Sequence, residues 1–486
     1  MRIAAGLVMS VLLLAALPAR ADVPVLKLES GVETTADGAN VAYEAGAIQV
    51  PENRAKTDSR TIGVGVLRIR AQKPNGNPPI FLLVGGPGVT LLDTIGDTGP
   101  AARRRWRYWL DYAAGADLVI VEQRGFTMRG DMLQFHYPAL PLDKPDTVEA
   151  NIAITRALAE RAAAANPGHD LAGYTIAECA DDVDAVRRAL GYDRISLFGA
   201  SFGSQWSFAV LKRHPGTVAR VLLSAVEPLD NGYDMPSHVF AVMQRIAFEA
   251  ERDPALKPYI PREGLIGAAR VVHDRLAKAP VTVAVPGEGT IVLGIGDFQQ
   301  ALLSATIDAR QWPAFVIDLY NGRYQGWAQR MITVRKAADT ALIGPLIDTA
   351  TGVSAARERQ LRTDPALDML GSWGFATYLA SAGRWPTADL GDAFRLPARD
   401  TTPILFVQGD WDPNTPVENL LDVLPWFPNA RTMIVHRGQH TGALQLLRDR
   451  PDQLAAAMRF LTEGSTEGLE SRVELAPVAF AQPARE

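Results

Sequence analysis

Ile195-Ser196-Leu197-Phe198-Gly199-Ala200-Ser201-Phe202-Gly203 is the stretch on which the reading of this chain turns. Ile195 to Phe198 is short, apolar and β-prone, and Ser204 to Lys212 after it is compatible with a helix, so Gly199 to Gly203 is a Gly-x-Ser-x-Gly turn between strand and helix. Glycines flank Ser201 because a strand that reverses sharply into a helix leaves little room beside the turn residue. The turn exposes the Ser201 hydroxyl at a helix N-terminus, where the amide of Phe202 can donate to a developing oxyanion.

Upstream, Ala47 to Val50 and Thr61 to Arg70 read as strands joined by the turn-rich Pro51 to Ser59. Pro79 to Val84 and Leu118 to Val121 are again short apolar runs, as expected of parallel strands covered by helices on both faces. The first opens into Val84-Gly85-Gly86-Pro87-Gly88, whose glycines let backbone approach a reacting carbonyl; Gly86, with Gly85 beside it, is the expected second oxyanion donor. Thr175 and Glu178 form a Thr-x-x-Glu capping box ahead of a helix that buries Ile176, Cys179, Val183, Val186 and Leu190 and stops at Gly191. Cys179 reads as a packing residue, and as the one cysteine of the chain it has no intrachain disulfide partner.

Downstream, Val218 to Val226 is a strand ending at Glu227-Pro228, and the next comparable run, Pro403 to Val407, comes about 175 residues later, too far for a structureless loop. The interval holds helical stretches (Leu265 to Ala277, Phe298 to Ile307, Trp312 to Leu319) and a hairpin candidate, Val281 to Leu293, and reads as an inserted, mainly helical cap. A nucleophilic serine needs a base, and the base an orienting carboxylate. The loop Gly409-Asp410-Trp411-Asp412-Pro413 offers Asp412, held in a turn by the following proline, with Asp410 and Glu227 as alternatives. Of the histidines after that loop, His440 in Gly438-Gln439-His440-Thr441-Gly442 lies just beyond the last strand, Thr432 to Val435, and is preferred over His436. Ser, acid and His in this order, on strand ends of a mostly parallel sheet with flanking helices, define an α/β-hydrolase fold.

The 486 residues, 47% hydrophobic and 21% charged, suffice for a large core, and a formal charge of −5 leaves no cationic excess for nucleic acid. Arg2, the apolar run to Leu17 and Ala19-Arg20-Ala21 form a signal peptide pattern with cleavage expected before Asp22, which takes the charge to −7 and implies a secreted or periplasmic protein with no stable membrane span. The expected division is thus 1–21 signal peptide, 22–226 first segment of the core, 227–400 cap, 401–463 second segment of the core with a closing helix from Pro451, and 464–486 a loose tail. No zinc-site spacing and no nucleotide fingerprint is present, so neither metal nor cofactor is expected.

Val84-Gly85-Gly86-Pro87-Gly88, Glu122-Gln123-Arg124-Gly125, Gly199-Ala200-Ser201-Phe202-Gly203, Asp412-Pro413-Asn414-Thr415-Pro416 and Gly438-Gln439-His440 together resemble the prolyl aminopeptidase and tripeptidyl aminopeptidase family. The spacing agrees from Ala47 to Leu461, more loosely in the cap. The resemblance implies a serine peptidase with Ser201, Asp412 and His440 as its triad, acting on the N-terminus of short peptides without a cofactor, and export in the tripeptidyl branch. Two positions depart from the pattern: Val84 stands where the family usually has His, so the bracing of the oxyanion loop is not carried over, and Glu122 stands where it usually has Asp. Glu122 and Arg124 follow a strand and either organise the site or form a structural ion pair. The cap glutamates with which prolyl aminopeptidases hold a substrate amine have no counterpart legible in the sequence. An esterase working on small esters with the same triad is the nearest rival, and a non-catalytic binding protein on the same fold a remoter one.

Overall fold

The computed structural model describes residues 25–440 and 442–484, so the expected signal peptide lies outside the described residues. Its strands are β1 Leu26–Thr34, β2 Asn40–Pro51, β3 Thr61–Ile69, β4 Ile80–Leu83, β5 Leu118–Val121, β6 Gln134–Tyr137, β7 Ile195–Ala200, β8 Val218–Ser224, β9 Val281–Val285, β10 Gly289–Leu293, β11 Ala338–Ala341, β12 Ile404–Gly409, β13 Arg431–His436 and β14 Arg472–Glu474. Ten of them form one sheet in the order β1-β2-β3-β5-β4-β7-β8-β12-β13-β14. From β5 to β14 every pairing is parallel, and β1 to β3 add an antiparallel edge.

The apolar runs are continuous because both faces of the parallel strands are buried. In β5, Val119 and Val121 pack with Cys179 and Val183 of helix Ile176–Ala189 and with Phe202 and Trp206 of helix Phe202–Arg213. Leu118 and Ile120 point the other way, onto Trp106 and Trp109 of helix Pro100–Tyr112 and Leu454 and Phe460 of helix Pro451–Glu463. The fold is that of the α/β hydrolases. Thr175 caps its helix as expected, accepting from the Glu178 amide at 3.3 Å, but the Glu178 carboxylate is turned to Arg54.

Between β8 and β12 lie helices with a core of their own, built on Val242, Ile246, Val272, Phe298, Trp312 and Trp327, together with the β9–β10 hairpin. The expected boundary at 226 is cut across, because β6 pairs antiparallel with β11, some 200 residues later. The segment after β6 also carries the carbonyls of Pro141 and Lys144, which accept from the buried Arg335.

Residues 464–486 were expected to be a loose tail, and their described portion is not. β14 pairs with β13, the Leu475 amide donates to His436, Phe480 stacks on Trp411 with centroids 6.5 Å apart, and the Ala481 amide donates to Arg310 at 2.9 Å. The segment thus runs from the sheet edge to the cap, and its three-residue strand is too short to carry a readable period. The stretch ahead of Ala47 likewise contains β1, an exposed edge strand whose apolar residues are few. We expect Phe480→Ala to lower stability by about 1–3 kcal/mol, read as a reduced urea midpoint at unchanged m-value, because the stack on buried Trp411 is lost.

Candidate active site

β7 gives way at once to Ser201, whose backbone sits at φ 56° and ψ −131°, a strained conformation for a residue with a side chain. Crowding on both sides holds it there. A Cβ at Gly199 would come 2.3 Å from the Gly203 carbonyl oxygen, and one at Gly203 would come 2.0 Å from the Leu83 carbonyl oxygen on the neighbouring strand. Ser201 stands at the N-cap position of helix Phe202–Arg213, yet its side chain makes no capping bond. Its Oγ lies instead 3.0 Å from Nε2 of His440.

Nδ1 of His440 is 3.0 Å from both carboxylate oxygens of Asp412, which is fully buried at the end of β12. The turn after Asp412 satisfies that carboxylate: the amides of Asn414 and Thr415 donate to Oδ1 at 3.0 and 3.1 Å and the Thr415 hydroxyl to Oδ2 at 2.7 Å. Thr415 lies inside the Asp412-Pro413-Asn414-Thr415-Pro416 motif, but nothing in the sequence assigns it this role. Burial disfavours a protonated His440, but the hydrogen bond and charge of Asp412 outweigh it and hold the imidazole above its ordinary value. Neutral His440 can therefore accept the Ser201 proton, and the imidazolium that results faces a fixed negative charge.

The alternatives considered from sequence are engaged elsewhere. Asp410 and His436 pair with each other at 2.8 Å, His436 reaching on to Glu249 of helix Pro236–Ala250 at 2.8 Å, while Arg437 donates to Asp410 through its amide and to Glu249 through Nε. The Glu227 carboxylate accepts from Gln205.

The loop after β4 lies against the serine, since a Cβ at Gly85 would be 3.4 Å from the Ser201 Cβ. Gly86 has φ 118°, open to glycine alone without strain. Phe202 is the first residue of its helix, so its amide has no intrahelical acceptor. Glu122 is buried and accepts from Thr90, just past the loop, from the Thr127 hydroxyl at 2.5 Å and from the Met128 amide at 2.9 Å; burial raises its pKa. Arg124 is fully buried in a structural network, forked onto Asp182 at 2.7 and 2.8 Å and bonded to the carbonyls of Glu52 and Gly173. None of these bonds reaches the serine. Between them Gln123, with no charge to mark it in the sequence, contacts the Gly85–Gly88 loop directly.

Three partly buried carboxyls form a group that reaches the triad through Asp234 and Glu227. Asp234 is raised to about 7 by burial and by the charge of Asp412, and it acts in turn on His440. Glu227 is raised by burial and by Asp348, Asp234 and Asp412. Asp348 is raised to about 7 by burial, although the Tyr378 hydroxyl is hydrogen-bonded to it, and Tyr378 stacks on Tyr233 with centroids 5.1 Å apart. Sequence named only Glu227, as a spare triad acid; Asp234 and Asp348 carry no motif and converge through the cap. Among the described residues, no group of three His, Cys, Asp or Glu could hold a metal ion.

Residues 78–256 match the family described as alpha/beta hydrolase fold. The chain has the α/β-hydrolase fold. Residues 373–470, which carry Asp412 and His440, match the family described as TAP-like protein. Similar solved structures include a proline iminopeptidase from Mycobacterium smegmatis (15% identity, 86% of this chain and 97% of that one, TM-score 0.40). An esterase from Exiguobacterium antarcticum (12%, 83% and 97%, TM-score 0.36) and a probable hydrolytic enzyme from Pseudomonas aeruginosa PAO1 (13%, 86% and 93%, TM-score 0.36) are similar too. No curated protein matches the sequence.

Replacing Asp412 by Asn should lower kcat about 10⁴-fold, because the amide favours the wrong imidazole tautomer. The acid limb of the kcat/KM profile should lie above the usual imidazole range in the wild type and fall back toward it in the residual activity of Asp412→Asn, as measured by initial rates between pH 5 and 9.

Proposed function

We propose that the protein is an exported serine peptidase that releases N-terminal residues or short peptides from small peptide substrates through an acyl-enzyme on Ser201. As Oγ attacks the scissile carbonyl, Nε2 of His440 takes the hydroxyl proton and Asp412 stabilises the imidazolium. The amides of Phe202 and Gly86 receive the oxyanion. When the C–N bond breaks, His440 returns the proton to the departing amine, and water repeats the sequence on the acyl-enzyme.

The observation that carries the peptidase reading over the esterase one is the set of carboxyls Glu227, Asp234 and Asp348, of which Glu227 and Asp234 feel the charge of Asp412 and Asp348 acts on Glu227. An ester substrate has no use for them. A free peptide N-terminus is a cation, and burying it beside a carboxylate compensates its desolvation. The TAP-like match of residues 373–470 supports the same reading. Export rests on the N-terminal pattern in the sequence; no helix among the described residues is long and apolar enough to cross a membrane.

Parallel assays of aminoacyl and tripeptidyl anilides with free or acetylated N-termini, alongside simple acyl esters, test the proposal. Activity on free-amine anilides that Ser201→Ala abolishes is expected; ester cleavage with no anilide turnover overturns the peptidase reading. Labelling of Ser201 by a fluorophosphonate probe separates both from a non-catalytic binder.

Two further outcomes follow from the carboxyls. Asp234→Asn should raise KM for a free-amine anilide about 10-fold or more while altering KM for p-nitrophenyl acetate less than about 2-fold. In the wild type, Asp234 and Asp348 are largely neutral below pH 7 and ionise as pH rises through it, so KM for free-amine substrates should fall over that interval. It should rise again as the substrate ammonium, with a pKa of about 8, is lost.

A further inference from the structure

We propose that Gln123 is the positioning residue for the oxyanion loop, holding the Gly86 amide in place for the tetrahedral intermediate; this rests on the serine hydrolase reading above. β4 and β5 run parallel, with Leu83 opposite Val121. Two residues further on, Gly85 and Gln123 leave the sheet side by side. There the strands stop and the ladder can no longer fix the loop, although the second donor must be held to within a fraction of an ångström.

The Gln123 side chain takes over where the ladder ends. Its Nε2 donates to the Gly85 carbonyl at 2.8 Å, and its Oε1 accepts from the Gly88 amide at 2.7 Å. One planar amide thus closes a bridge across Gly86 and Pro87, gripping the residue before the donor and the second residue after it. Gln123 is 0% exposed, so its amide is shielded from water on its own side and held in one orientation by the packing around it. Val84, at the foot of the loop, is a buried hydrocarbon with no polar side-chain atom to offer. Glu122 secures Thr90, further along, which leaves the glycine stretch itself to Gln123.

Both polar atoms of the amide are required. Gln123→Met keeps the length and loses both bonds, whereas Gln123→Glu keeps an acceptor for the Gly88 amide but turns an oxygen toward the Gly85 carbonyl. A donor displaced by about 1 Å costs up to about 100-fold in rate.

The experiment measures steady-state hydrolysis of p-nitrophenyl acetate, inhibition by an aryl boronic acid that adds to Ser201 as a tetrahedral anion, and thermal unfolding, for wild type, Gln123→Met and Gln123→Glu. The expected result is a kcat lowered about 10- to 100-fold in both variants with KM within about 3-fold, and boronate affinity weakened by the same factor as kcat/KM. Folded variants with wild-type kcat overturn the proposal, as does a lowered kcat with boronate affinity unchanged, which would mark a purely structural role. If Gln123→Met does not fold, Gln123→Glu decides on the same criteria, and if neither folds, Gln123 is structural and the proposal fails. Wild-type enzyme that neither hydrolyses the ester nor takes a fluorophosphonate label refutes the serine hydrolase reading instead.

Discussion

The backbone of Ser201 is held at a positive φ by contacts too close for any side chain at Gly199 or Gly203, and the geometry of the site follows from that constraint. The packing of helix Phe202–Arg213 against β4 presses the turn into shape, so the energy that strains one residue comes from the core formed by Phe202, Trp206, Leu83 and Val121. Once the turn is fixed, the hydroxyl points away from its own helix and toward the imidazole. A softer turn would let Ser201 cap the helix, and the 3.0 Å contact with His440 would be lost.

Negative charge is distributed unevenly around this hydroxyl. Asp412 has two amides, a hydroxyl and an imidazole around it, so its buried carboxylate oxygens are all hydrogen-bonded. Asp234, Asp348 and Glu227 lack comparable compensation and respond by holding their protons more tightly. One carboxylate is thus committed to the base, while the other three keep their protons to higher pH.

The parallel half of the sheet is legible in the sequence because its strands are apolar on both faces, and Ser201, Asp412 and His440 because each sits where such a strand ends. What escapes the sequence has no period or motif to reveal it. β1 and β14 lie at the sheet edges, where one row of hydrogen bonds suffices and few apolar residues are needed. β6 finds its partner only through the folded cap. Asp234 and Asp348 are ordinary acids brought together by tertiary structure. Gln123 lies inside a recognisable motif, but the visible signal there is the pair of charges on either side, and the neutral residue between them is the one that touches the loop.

Glu249 belongs to the cap, yet it is gripped by His436 and Arg437 at the end of β13, three residues before the base. Rocking the cap away from the sheet would have to break the Arg437–Glu249 ion pair and the His436–Glu249 contact and pull on the very loop that aims His440. Opening of the roof and alignment of the imidazole are therefore mechanically linked, so a cap mutation remote from Ser201 can register as a change in turnover with substrate contacts untouched.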